Sequence, residues 1–183
     1  IDEAKSDLDR AMALALDSST PAVASANAQT VTTASFTPPA GAVLYAIAMH
    51  GCNSQASNRA STITDSAGLT WTPQVSTPLG PSPAPNGSLV RLWTATVITS
   101  AAMTVTSTIT ANGFNGSTLR VLVYTGADPA APVDGSAVGG SVNAVVSQSI
   151  TTTIYGTIPW IANADWTPGA APTAASGTTA DTT

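Results

Sequence analysis

Charge is scarce in this sequence. Asp, Glu, Lys and Arg make up 8% of its 183 residues, against ~25% in an ordinary soluble domain. The basic residues are Lys5, Arg10, Arg59, Arg91 and Arg120, scattered along a chain of net charge −5. Phosphate recognition needs clustered Lys and Arg, so nucleic acid is excluded as a partner. Lys5 is the single lysine and sits among acids near the start. The β-rich part therefore has no amine for a Schiff base or a covalent cross-link. Cys52 is the only cysteine, so no intrachain disulfide forms and the redox compartment stays open. No apolar run reaches the ~18 residues of a membrane span. The chain starts at Ile1 with no basic leader, so no signal peptide is visible, and without an initial Met it reads as a processed product or a fragment.

Catalytic groups are equally sparse. His50 is the only histidine, two residues before Cys52. A Cys–His dyad would need a third group to orient it and a shaped pocket, so a hydrogen-bonded structural His and a small buried thiol are the favoured reading. One His and one Cys cannot close a zinc site. Asp128 and Asp134 could at most offer a lone calcium site with loop carbonyls, because no regular calcium loop is present. Five of the ten acids (Asp2, Glu3, Asp7, Asp9 and Asp17) lie in the first segment, and no Glu follows it. The facing carboxylate pair of a glycosidase is therefore missing. We expect no catalytic residue, no metal and no cofactor.

What remains is a surface of Thr, Ser, Asn, Gly and Ala over strand-like patterns. Residues 1–20 read as a short N-terminal amphipathic helix ended by Pro21, with Ile1, Ala4, Leu8, Ala11 and Ala15 at a and d positions and Met12 widening the stripe. Three readings fit it: a helix docked on its own domain or a neighbour, the remnant of an oligomerising stalk, or a frayed tail. Residues 21–28 read as a linker, 29–166 as the β-domain and 167–183 as a low-complexity Pro/Ala/Thr tail. Both faces of 42–50 are apolar, which predicts a central strand covered on two sides. Residues 102–110 alternate Met103, Val105 and Ile109 with threonines. Residues 61–75 predict a hairpin turning at 65–68 and seating Trp71 in the core, and the Asn-Gly pairs at 112–116 predict a tight connection. Residues 145–153 and 157–163 predict the last two strands. Roughly nine short strands without interleaved helices imply a mainly β chain, an antiparallel β-sandwich of jelly-roll-like type.

Near the end, Trp160 and Trp166 share a face if the chain is extended, with Asn163 and Asp165 on the other. Such a surface suits a sugar; core or interface anchoring explains the same indoles more simply.

The runs TDSAGLTWT (64–72), LVRLWTATV (89–97), RVLVYTGADPAAPV (120–133) and WIANADW (160–166) resemble a β-sandwich module of tailed actinobacteriophage structural proteins, the minor tail or virion proteins. The resemblance spans most of 25–166 and rests on turns and core aromatics, so it carries no functional residue with it. It implies a virion-borne appendage, fibre or decoration component that contacts other virion proteins and forms a homo-oligomer. It also leaves host-surface carbohydrate as an alternative partner. The family pattern leads us to expect a further strand after the low-complexity end, supplied by a neighbouring subunit or by sequence beyond this chain.

Overall fold

A computed structural model describes residues 14–52, 60–76, 87–110, 114–137, 149–153, 157–159 and 162. Nine strands run through them: β1 (Ala15–Leu16), β2 (Ala24–Ala26), β3 (Thr30–Thr32), β4 (Val43–Cys52), β5 (Ala60–Asp65), β6 (Thr72–Ser76), β7 (Gly87–Thr96), β8 (Val105–Thr110) and β9 (Phe114–Thr125). Pairing is antiparallel throughout. The larger sheet has the order β9-β4-β7-β6, with β1 and β2 both on the far side of β9; the smaller has the order β3-β8-β5.

The composition of β4 explains its place. Leu44, Ala46 and Ala48 point into a core shared with the smaller sheet, where they meet Val31, Val105, Trp93, Leu119, Val121 and Val123. On the opposite face Ile47 joins Leu122 and Tyr124, with Leu14, Tyr45 and Ala127 packed against them. Tyr45 and Tyr124 meet edge to face at 5.6 Å. A strand apolar on both faces belongs in mid-sheet, and β4 lies between β7 and β9 as its pattern predicts. Each fully buried Leu here contributes about 1.5–3 kcal/mol of transfer free energy.

The smaller sheet follows the same alternation. Met103, Val105 and Ile109 are buried while the threonines between them face outward. Register aligns Thr30, Thr108 and Thr62 in one rank and Thr32, Thr106 and Thr64 in the next. Their hydroxyls meet across strands, at 3.2 Å for Thr30–Thr108 and 2.9 Å for Thr32–Thr106. This neutral face takes the place of the missing ions on the surface.

Several expectations are corrected. Ala15 and Leu16 are not helical: they pair with Thr125 and Tyr124, because the open edge of β9 offers backbone partners that override Ala and Leu helix propensity. The rest of the expected helix (Ile1, Ala4, Leu8, Ala11 and Met12) lies outside the described residues, and Ala15 is exposed. The stretch read as a linker contains β2, which pairs with Leu119, Thr118 and Ser117. Between β1 and β2 the edge is interrupted at 17–20, where Ser19 N–H donates to Asp17 Oδ1 at 2.8 Å. Thr20 Oγ1 there accepts the Val123 N–H at 3.1 Å.

The hairpin predicted over 61–75 is a crossing between sheets, since β5 lies in the smaller and β6 in the larger. Asn115-Gly116 is not the tip of a turn either. It lies within β9, opposite the register shift at Gly51/Cys52, and Gly116 has φ +139°. That is a β-bulge, where one strand carries an extra residue. The described parts of the last two expected strands, 149–153 and 157–159, are irregular. They are held by Asp134, which accepts from Thr153 N–H at 2.6 Å and from Thr157 Oγ1 at 3.2 Å.

Candidate functional site

His50 sits near the end of β4 on its inward face, only 1% exposed. Three serines meet its ring: Ser117 Oγ at 2.8 Å from Nδ1, and Ser107 Oγ and Ser61 Oγ at 3.0 and 3.2 Å from Nε2. Ser117 belongs to β9 in the same sheet, whereas Ser107 and Ser61 belong to β8 and β5 in the other. The imidazole thus pins the two sheets together. Ser117 Oγ also donates its single proton to the Ala28 carbonyl at 2.7 Å. It must therefore accept from His50, which puts the ring proton on Nδ1 and leaves Nε2 as the acceptor of a serine hydroxyl. Burial lowers the His50 pKa to about 4, helped by the nearby Arg91 charge. A Ser–His contact suggests a nucleophile and its base, but Ser107 is fully buried and Ser61 and Ser117 nearly so. With so little exposure and every hydroxyl hydrogen-bonded, the arrangement among the described residues is a satisfied buried network.

Among the described residues a larger concave surface than the shallow one beside 25–27 and 116–118 lies on the outer side of the larger sheet. There a groove of about 660 Å³ runs between three connections, 66–70, 98–102 and 129–132, over a floor that includes Thr72, Gln74, Thr94 and Thr96. That volume is within the roughly 300–1,000 Å³ of small-molecule sites. Among the described residues β6 is an edge strand of the larger sheet, where Pro73 is tolerated because an edge leaves one side of the backbone unpaired. The register shifts between Pro73 and Val75, so Gln74 is bulged. Its Nε2 donates to Thr94 Oγ1 at 2.8 Å.

Asp65 fastens one wall. It accepts the Ala67 N–H at 2.7 Å, the Leu69 N–H at 3.1 Å and the Trp71 indole N–H at 2.7 Å. Gly68, at φ +77°, makes the turn possible. Trp71 is half-buried against the shared core, with its face as expected although the hairpin is not. The opposite wall is fastened by Tyr45, whose hydroxyl donates to the Pro132 carbonyl at 2.7 Å. Burial raises the Tyr45 pKa to about 12, with Tyr124 adding to the shift. Asp128 braces the same wall by accepting the Ala130 N–H at 2.9 Å. No lining residue is charged.

The other sequence-predicted site residues are not brought to this groove. Trp160, Asn163, Asp165 and Trp166 lie outside the described residues. Among the described residues no group of three or more His, Cys, Asp or Glu could hold a metal, and Asp128 and Asp134 both take part in loop hydrogen bonds. The groove was missed in the sequence because its walls come from three separate connections. The Asp-x-x-Gly turn at 65–68 was the one visible signal.

No family model, no curated protein and no solved structure matches the chain.

Proposed function

We propose that this chain is a non-enzymatic structural component of a tailed phage particle, placed on tail, fibre or capsid surface and assembled through protein–protein contacts. The observation that carries the reading is the closure of its only Ser–His arrangement. The one side chain with a base suited to neutral pH is sealed between two sheets and spent on three serines. The outward threonine ranks and the low charge support a chain built for packing and durability rather than chemistry. In this reading the module is jelly-roll-like, any helix is confined to the segment ahead of Leu14, and the protein is a homo-oligomer in the particle. The test is mass measurement of the isolated protein across a concentration series. A defined oligomer supports the reading, and a monomer persisting at high concentration counts against it.

A second reading, a carbohydrate-binding module contacting host-surface glycans, is favoured by one observation: an uncharged groove floored by hydroxyl and amide groups.

A further inference from the structure

The geometry points to the groove over Thr72, Gln74 and Thr94 as a binding site for a short, uncharged glycan, an inference that rests on the carbohydrate-binding reading. Three features converge on that ligand class.

The first is charge. No ionisable side chain lines the groove, and the carboxylates nearest its walls accept hydrogen bonds from those walls: Asp65 from Ala67, Leu69 and Trp71, and Asp128 from Ala130. A charged ligand would leave water without a counter-charge, which is costly in a partly enclosed site. A neutral ligand meets no such penalty.

The second is the pattern of polar and apolar groups. The bulge in β6 aims Gln74 at Thr94, and that contact uses one amide N–H and one hydroxyl lone pair. Thr94 is itself buried, so the Gln74 carbonyl oxygen and its second N–H are the further hydrogen-bonding capacity at this point. Thr72 lies directly opposite Thr94 in register and Thr96 two residues on. Around this floor stand Leu69, Ile98, Pro129 and Pro132, with Ile98 78% exposed. A sugar ring has the complementary arrangement, hydroxyls at its rim and C–H groups on its faces. Mono-functional alcohols and hydrocarbons would use only half of the lining.

The third is rigidity. Both walls are tied down before any ligand arrives, one through Asp65 and the other through the Tyr45–Pro132 bond. A preformed site loses less entropy on binding, which is what a weakly hydrogen-bonding, well-hydrated ligand requires.

The test uses the full chain on an array carrying neutral and acidic glycans, followed by titration of the neutral hits against variants with unchanged thermal midpoints. Gln74→Ala and Thr72→Val alter the floor, with Gln74→Asn as the milder form. Trp160→Ala combined with Trp166→Ala removes the alternative surface. We expect neutral glycans among the hits, affinity falling about tenfold or more in Gln74→Ala, as loss of a ligand hydrogen bond implies, and less than about twofold in the Trp pair. Hits lost in the Trp pair but kept in the floor variants overturn the groove and leave the carbohydrate reading standing. Hits confined to acidic glycans also overturn the groove. No glycan hit at all overturns both.

Discussion

Acid should loosen this protein through one residue. His50 is neutral in the folded chain, with Nδ1 donating to Ser117 and Nε2 accepting from Ser107 or Ser61. Protonation would turn Nε2 into a donor and force those hydroxyls to reverse. The folded pKa is lowered to about 4 from 6.5, first by burial and then by Arg91. The unfolded chain therefore takes up a proton as pH falls through 6.5, while the folded chain does not until about 4. The stabilising contribution is fully present above pH 6.5 and is lost across the window from 6.5 down to 4. A slope approaching ~1.36 kcal/mol per pH unit gives a loss of about 3 kcal/mol over that window.

The assay is urea unfolding followed by tryptophan fluorescence at pH 7.5, 5.5 and 4.0, for wild type and His50→Gln. With a urea m-value of ~1–3 kcal/mol/M, the wild-type midpoint should fall by about 1 M or more relative to its own value at pH 7.5. The variant, though weaker at neutral pH, should be flatter. Parallel pH profiles for the two proteins would refute the reasoning, because the acid sensitivity would then lie in other groups.

The serines around the same ring should couple. Ser107→Ala alone should cost about 1 kcal/mol, because Ser61 also reaches Nε2. Ser61→Ala with Ser107→Ala should exceed the sum of the singles by about 1 kcal/mol or more, since a buried acceptor is left unpaired; strict additivity in denaturant melts would contradict this. Gly68→Ala should lower stability by about 1–2 kcal/mol through backbone strain alone, since φ is +77° and an added Cβ meets nothing within 4 Å. An unchanged melting temperature would show that the 66–70 turn relaxes freely. Tyr45→Phe removes the bond to Pro132 and should cost about 1 kcal/mol. Ultraviolet titration of wild type should show a tyrosine ionising only near pH 12, absent from the variant.

The sequence was informative about faces and silent about partners. The two apolar faces of β4 and the strict alternation of β8 placed their side chains correctly, because burial on one or both sides is what a period-2 pattern encodes. Whether β5 turns back onto β6 or crosses to the other sheet is not encoded there. Asp65 and Gly68 suit either connection, so a hairpin was expected where the chain crosses over. Likewise β8 and β9 are consecutive yet lie in different sheets. At the other end, helix periodicity over 1–17 took no account of β9's open edge, which captures Ala15 and Leu16.

The serine cluster leaves a trace in the sequence. Ser107 stands between Val105 and Ile109, and Ser117 precedes Leu119 and Val121 in step, so each occupies a position reserved for an apolar side chain. Hydroxyls at such positions require a buried partner, and a chain with one histidine offers few choices.

We propose above that this chain is carried in a tailed phage particle rather than in free solution. Quantitative mass spectrometry of gradient-purified phage particles, set against the unassembled fraction of the same lysate, tests it directly. A structural component should be found at a fixed copy number per particle, retained through washes of rising salt, because contacts made by so weakly charged a surface are little screened. Recovery of the chain only in the unassembled fraction would contradict it.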